Sequence, residues 1–240
     1  MDNRIAIVSP LVPEICEKLK CFGYKLIYTD CVDEFISYEK YHADMQCVSL
    51  NDGIFVLNGC KRLIDNLKAT GVNIIESRDC YNGKYPENVK LNVKIIGNYV
   101  IGKESAFDSL LFNILAETEH TFIDVKQGYA GCSCAKINDI AIITSDNSIY
   151  KGVKNTKIEC LKIRDGHIKL YGAPMTTTGF IGGASVQLDE NNILFFGNIK
   201  KHPDYIYIDD FCNKHNVQIH YIEEIPLTDI GGAVLLNISQ

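Results

Sequence analysis

The sequence predicts a mixed α/β domain built from five copies of one unit, in the order strand, turn, strand, helix, strand. Apolar strand-forming runs flank turn residues, a helical pattern follows each hairpin, and a short strand follows each helix. The units begin near residues 45, 91, 134, 185 and 233, a spacing of about 40 to 50 residues. Such periods are typical of arrays in which neighbouring units bury each other's apolar faces.

The fifth unit is divided between the two ends of the chain. It begins with the strand 233–237, which has no partner near it in sequence. We expect the N-terminal strand 5–8 to pair with it, because otherwise both would be unpaired edge strands. The helix 13–22, with Pro13 in its first turn and Gly23 after its end, and the strand 24–28 complete the unit. The prediction is therefore one closed domain over residues 1–240, and an α+β domain without a true repeat is the alternative.

The other four units can be followed in chain order. The hairpins are predicted at 45–50 with 54–57, 91–96 with 99–101, 134–137 with 140–144, and 185–188 with 193–196. In the first, Asn51-Asp52-Gly53 supplies the residues that accept the positive φ of a tight turn. The helices are predicted at 61–69, 105–117, 148–154 and 203–216, and the strands that follow them at 71–75, 120–123, 158–163 and 217–221. Residues 166–183 form the longest irregular stretch.

Composition limits the class of protein. The chain has 240 residues, 46% of them hydrophobic, and a net charge of −6. An acidic balance disfavours nucleic acid and anionic membranes as partners and favours a cationic ligand. No apolar run approaches the roughly 20 residues of a membrane-spanning helix. Ten cysteines without a signal peptide indicate reduced thiols and a cytoplasmic protein, and the absence of Cys-x-x-Cys pairs argues against a metal site.

Three positions carry side chains capable of chemistry. His42 and Asp44 form a His-x-Asp pair just before the first hairpin, and alternation in an extended segment would place them on one face. Cys132 and Cys134 open the third hairpin, again on one face by alternation. Asp229 stands just before Gly231-Gly232 at the start of the last strand.

These features resemble the penteins, the superfamily of guanidine-modifying enzymes such as arginine and agmatine deiminases. The resemblance implies a five-bladed α/β propeller with a ligand site on its pseudo-fivefold axis. It rests on the five units, on His42-Ala43-Asp44 before a strand, on a cysteine two repeats later, and on Asp229 beside Gly-Gly one repeat earlier round the ring.

By this resemblance, Cys134 is the expected nucleophile and Cys132 its substitute, His42 is the general acid/base, and Asp44 and Asp229 bind a guanidinium group. We expect hydrolysis or transfer at a guanidine or amidine C–N bond, a small cationic guanidino ligand and no cofactor. A neighbouring imidazolium would lower the pKa of the nucleophilic thiol. The alternative is a non-catalytic pentein that binds a protein or a small cationic ligand.

Overall fold

A computed structural model describes residues 3–79 and 81–238; residues 1, 2, 80, 239 and 240 lie outside it. In chain order its first half contains β1 (Asn3–Val8), α1 (Pro13–Cys21), β2 (Lys25–Tyr28), α2 (Ala43–Gln46), β3 (Cys47–Leu50), β4 (Gly53–Val56), α3 (Lys61–Lys68), β5 (Ile74–Glu76), β6 (Lys94–Ile96), β7 (Tyr99–Gly102), α4 (Ser109–Glu117) and β8 (Thr121–Asp124). Its second half contains α5 (Ala130–Ser133), β9 (Cys134–Asn138), β10 (Ala141–Thr144), α6 (Asn147–Gly152), β11 (Glu159–Lys162), β12 (Lys169–Leu170), β13 (Ser185–Asp189), β14 (Asn192–Phe195), α7 (Tyr205–Lys214), β15 (Gln218–Tyr221), β16 (Thr228–Asp229) and β17 (Ala233–Ile238).

Five three-stranded sheets share one topology. In each, a first strand pairs antiparallel with a central strand, and the central strand pairs parallel with the strand that follows the helix. The orders are β3-β4-β5, β6-β7-β8, β9-β10-β11, β13-β14-β15 and β17-β1-β2. The strand–turn–strand–helix–strand unit predicted from the sequence is therefore confirmed in all five places.

The fifth sheet joins the two ends of the chain. Ile5 lies opposite Leu236 in the antiparallel pairing of β1 with β17, and the parallel partner of Ile5 is Lys25 on β2. This confirms the pairing of the terminal strands. The N-terminal strand is the central strand of its sheet, and all four of its residues from 5 to 8 are buried.

Helices pack on the sheets through apolar faces. Leu63, Ile64 and Leu67 are the buried side of α3, as expected for apolar residues spaced three or four apart. Its first turn is held by a carboxylate from outside the helix, since Asp30 Oδ2 accepts from Arg62 N at 3.0 Å. None of the described helices is long and apolar enough to span a membrane.

The first strands of the five sheets line a common cavity of about 350 Å3. Its lining includes Asp44, Lys94, Lys136, Gln187 and Leu235, which come from or immediately precede β3, β6, β9, β13 and β17. The segments that lead into these five strands consequently converge, and the candidate site is built from them.

Two short helices and one small sheet depart from the sequence prediction. Ala43–Gln46 and Ala130–Ser133 are single helical turns, where extended chain was expected. Residues 166–183 are not wholly irregular, because β12 in this stretch pairs parallel with β16. The turns are fixed by contacts between units, described below, and a local alternation pattern carries no information on such contacts.

Candidate functional site

The candidate site lies where the segments that precede the first strands meet. Backbone hydrogen bonds join these segments: Asp44 N donates to Gly231 O at 3.1 Å, and Gly183 N donates to Cys132 O at 2.8 Å. Gly232 N also donates to Gly183 O at 2.8 Å, which links the two pairs, so segments of four units are held together beside the cavity.

His42, Asp44 and Cys132 form the centre of this site. The thiol of Cys132 donates to Asp44 Oδ2 at 2.8 Å, and His42 Nδ1 lies 4.0 Å from Asp44 Oδ1. One ligating atom from each of the three residues lies within 4.8 Å of the other two. A thiol, an imidazole and a carboxylate within this distance are the groups that nucleophilic catalysis by cysteine requires.

The short helices decide which side chains reach the site. His42 precedes α2 and Asp44 lies in its first turn, so the two residues do not share the face of an extended strand as expected. Cys132 lies in α5, whereas Cys134 is the first residue of β9. The alternation argument that placed both cysteines on one face was wrong, because the backbone changes from helix to strand between them.

Cys134 lies in apolar surroundings. It is fully buried and belongs to a cluster with Ile96, Ile101 and Ile142. Burial raises the pKa of its thiol to about 12, against the smaller opposing effects of Lys94 and Lys136. Within the described chain, the cluster of ligating side chains at the site contains Cys132 and not Cys134.

Asn92, which the sequence analysis did not single out, positions the Cys132 thiol. Its Oδ1 accepts from Cys132 N at 3.1 Å, and its Nδ2 lies 3.2 Å from Cys132 Sγ and 3.3 Å from Asp44 O. Asn92 stands two residues before β6, as Cys132 stands two residues before β9. Comparing equivalent positions in the repeated units is the signal that could have found it.

Asp229 and the two glycine pairs complete the site. Asp229 Oδ2 accepts from Phe180 N and its Oδ1 accepts from Gly231 N, both at 2.8 Å. A Cβ on Gly183 would lie 1.9 Å from Asp229 Oδ1, and one on Gly231, whose φ is +80°, would lie 2.4 Å from His42 Cβ. Glycine at these two positions therefore lets the carboxylate and the imidazole pack against backbone.

The electrostatics of the site favour neutral side chains. Burial lowers the pKa of His42 to about 4. Burial, together with the charge of Asp229, raises the pKa of Asp44 to about 8, and burial raises that of Asp229 to about 6. Burial and the charges of Asp44 and Asp229 also raise the pKa of the Cys132 thiol. These shifts oppose the thiolate–imidazolium pair that was expected from the sequence.

Within residues 3–79 and 81–238, several buried polar atoms at the site find no hydrogen-bond partner. They are Nδ1 and Nε2 of His42 and Oδ1 of Asp44. Buried polar groups in folded proteins are nearly always paired, so these atoms are available to a ligand. A ligand that donates hydrogen bonds and carries positive charge would satisfy Asp44 and relieve its repulsion from Asp229.

The same three side chains could hold a metal ion. A histidine nitrogen, a cysteine sulfur and a carboxylate oxygen are all zinc ligands, and a three-ligand site is a common form for zinc enzymes. No metal was expected from the sequence, because the spacing of the ligand residues gave no signal for one. The geometry makes metal dependence a test that any functional assay should include.

Comparisons with known proteins agree with the pentein interpretation of the fold. The chain resembles SxtG, an amidinotransferase from Microseira wollei, at 12% identity and a TM-score of 0.55, covering 88% of this chain and 76% of that one. It resembles DDAH from Pseudomonas aeruginosa in complex with citrulline at 8% identity and a TM-score of 0.55, covering 92% and 91%. It resembles agmatine deiminase from C. jejuni at 11% identity and a TM-score of 0.54, covering 92% and 86%.

Sequence comparison identifies the family to which the chain belongs. A search of curated proteins finds no match. A family of unknown function, DUF6873, matches residues 7–234. The chain therefore belongs to DUF6873, and its fold is that of the pentein guanidine-modifying enzymes.

Proposed function

We propose that this protein is a guanidine-modifying enzyme that cleaves a C–N bond of a cationic guanidine or amidine, with Cys132 as the nucleophile. The observation that carries the proposal is the contact of 2.8 Å between Cys132 Sγ and Asp44 Oδ2, with His42 beside both. The proposal includes the architecture: the five sheets are the blades of a propeller, and the cavity lined by their first strands marks its axis.

The ligand is a small guanidino compound. Asp44 and Asp229 supply the carboxylates for the guanidinium nitrogens, a pairing in which planar N–H donors match carboxylate oxygens. Within the described chain, neither carboxylate has a lysine or arginine within 4.0 Å. A bound cation would supply the missing charge, lower the pKa of both carboxylates and also favour the Cys132 thiolate.

The reaction follows from these positions. With the cation bound, His42 accepts the proton of the Cys132 thiol, and the thiolate attacks the guanidine carbon to form a C–S bond. The imidazolium of His42 then donates its proton to the leaving nitrogen as the C–N bond breaks. The covalent thiouronium that remains is cleaved by water activated by His42 in a hydrolase, or by an amine in a transferase, and the thiol is restored.

The test is a turnover assay with a panel of guanidino and amidino compounds, measuring the released amine and the ureido or transferred product. We expect wild-type activity that survives a chelator, that Cys132→Ala abolishes, and that Cys134→Ala retains. Activity lost with the chelator and restored by zinc would instead assign His42, Asp44 and Cys132 to a metal centre. Equal loss in both cysteine variants would contradict the assignment of Cys132.

The raised thiol pKa of Cys132 and the lowered pKa of His42 favour a second candidate, a non-catalytic pentein that binds a cation. Both shifts oppose formation of a reactive thiolate–imidazolium pair. The two candidates differ in one result: a binding module would bind guanidino compounds in the wild type and in Cys132→Ala alike, and neither would turn them over.

A further inference from the structure

A third carboxylate, Glu39, stands next to the site. It lies three residues before His42, and His42 N donates to Glu39 O at 3.0 Å. The Glu39 carboxylate is buried and accepts from Asn88 Nδ2 at 3.2 Å and from the Tyr129 hydroxyl at 3.5 Å. Neutral donors therefore surround it.

Glu39 has no cationic partner among the described residues, because no lysine, arginine or histidine nitrogen lies within 4.0 Å of its carboxylate. Burial raises its pKa, and the charge of Asp229 raises it further. Asn88, which donates to Glu39, is itself buried, and its Oδ1 has no hydrogen-bond partner in the part of the chain that the structure describes. The Glu39 carboxylate and the Asn88 Oδ1 are thus two acceptors beside each other that a donor could use.

This group of residues is continuous with the reaction centre. Tyr129 directly precedes α5, which carries Cys132. The ring of Tyr129 stacks on Phe180 with centroids 6.2 Å apart, and Phe180 N donates to Asp229. The charge of Glu39 also acts on Asp44, whose pKa it raises slightly. These contacts connect the residues that bind the Glu39 carboxylate to the residues that hold Asp229 and Cys132.

We propose that Glu39, Asn88 and Tyr129 form a subsite for a second positively charged nitrogen, so that the preferred substrate is a guanidine joined by an alkyl chain to an ammonium group, without a carboxylate. This inference rests on the proposed function. The ammonium would donate to Glu39 and Asn88 Oδ1, and the aromatic rings of Tyr129 and Phe180 would contact the alkyl chain. An amino-acid substrate would instead bring its carboxylate toward Glu39, and like charges repel.

The lysine that contacts Tyr85 at the edge of this aromatic group is already engaged. Lys103 donates to the hydroxyl of Tyr85 at 3.0 Å and lies 4.7 Å from the centroid of that ring. Tyr85 is half exposed and stacks on Tyr129 at 6.1 Å. Lys103 therefore belongs to the solvent-facing end of the stack, and the side chains that contact Glu39 include no counterion for a substrate carboxylate.

The experiment compares three guanidines that differ only in their tails: agmatine with an ammonium, butylguanidine with a methyl group, and L-arginine with an amine and a carboxylate. Dissociation constants are measured by calorimetry on Cys132→Ser, which prevents turnover. We expect agmatine to bind roughly tenfold tighter than butylguanidine, the effect of one partly buried charged hydrogen bond, and L-arginine to bind most weakly.

Glu39→Gln in the same background should abolish the advantage of agmatine and leave butylguanidine unchanged. The matched control is Glu87→Gln, since Glu87 precedes Asn88 on the same short turn but is only partly buried and pairs with Lys90 at 3.1 Å. This variant should bind the three ligands in the same order of affinity as Cys132→Ser alone.

Four results would overturn the subsite. If L-arginine binds as tightly as agmatine, the subsite is wrong. This comparison is made without any change at Glu39, so it does not depend on whether a Glu39 variant folds. Equal weakening of all three ligands by Glu39→Gln would show a structural role only. Failure of all three guanidines to bind would overturn the proposed function and the subsite together, whereas equal binding of all three overturns the subsite alone.

Discussion

Cys132 and Cys134 stand two residues apart and are both buried, yet they occupy different chemical surroundings. Cys132 lies on a helical turn, with Asn92 at its backbone and sulfur and Asp44 at its thiol. Cys134 lies on the next strand among isoleucines. The difference shows that a single change from helix to strand can place one thiol in a polar site and a neighbouring thiol in the hydrophobic core.

The largest expected effect is the contrast between two alanine variants. Cys132→Ala should lower kcat by at least about a thousandfold, since it removes the nucleophile. Cys134→Ala should leave kcat within about threefold and lower the free energy of unfolding by about 1 kcal/mol, through a small cavity. Steady-state kinetics and urea unfolding measure both. The reverse pattern of activities would identify Cys134 as the reactive thiol.

Asn92→Ala should produce the next largest effect. Without its three contacts the Cys132 sulfur is no longer held against Asp44, and misplacement of a reacting atom by about 1 Å costs on the order of a hundredfold in rate. We expect a loss of that order in kcat with little change in KM.

Asn73→Ala is the matched control, because the side chain of Asn73 donates to the backbone of the exposed turn residue Asp52, away from the site. Should both variants lose activity equally, the effect of Asn92 would be one of global stability and not of positioning.

The sequence predicted the units well because their signals are local. Turn residues such as Asn51-Asp52-Gly53 and the apolar spacing of Leu63, Ile64 and Leu67 depend on few neighbours. The pairing of β1 with β17 could also be predicted, since an apolar strand needs a partner.

The arrangement of the site could be predicted only in part. Whether Ala43–Gln46 is helical is settled by contacts such as Asp44 N to Gly231 O, nearly 190 residues away in sequence. Asn92 and Glu39 are ordinary polar residues until their partners are known. His42, Asp44 and Cys132 were found because their residue types suggested chemistry. Cys134 was preferred because it opens a strand, where the pentein resemblance places the nucleophile, and the sequence does not show that the helical turn before this strand brings Cys132 to Asp44 instead.

Asp44→Asn should change how stability depends on pH. With a folded pKa of about 8 and an ordinary value of about 3.9, Asp44 keeps its proton in the native state while the unfolded chain releases it. The wild type therefore loses stability as pH rises from about 4 to about 8. His42 has a folded pKa of about 4, so its effect on stability has the opposite sign and ends near pH 6.5, its ordinary pKa. Between about pH 6.5 and 8 the effect of Asp44 on stability can therefore be measured without that of His42.

In that window the melting temperature of Asp44→Asn should rise progressively above that of the wild type. Asp79→Asn is the control: hydrogen bonds from Ser109 lower the pKa of Asp79 below its usual value, so its difference from wild type should be constant across the window. A constant difference for Asp44→Asn as well would show that the carboxyl is already ionised at pH 6.5.

The smallest expected effect is a difference between Lys94 and Lys136, two lysines that line the cavity, in how they influence the pH dependence of ligand binding. Lys94 lowers the pKa of both Asp44 and Cys134, whereas Lys136 pairs with Asp139 at 2.7 Å and acts on Cys134. Because cation binding requires ionised Asp44, Lys94→Met should move the pH midpoint of agmatine binding upward by less than about one unit. Lys136→Met should leave that midpoint in place, and equal shifts in both variants would mean that the lysines act through the general charge of the cavity.

The central claim is that Cys132 is a thiol made reactive by a bound cation, and selective alkylation tests it most directly. The protein is treated at pH 7.5 with cationic chloroacetamidine or with neutral iodoacetamide, and the modified cysteines are identified by peptide mapping, with the exposed Cys21 and Cys31 as references. We expect chloroacetamidine to modify Cys132 at least about tenfold faster, relative to Cys21, than iodoacetamide does, with agmatine protecting it and His42→Ala slowing the reaction. The account would be contradicted if the ratio of the chloroacetamidine rate to the iodoacetamide rate were the same at Cys132 and Cys21. It would also be contradicted if Cys134 were modified before Cys132.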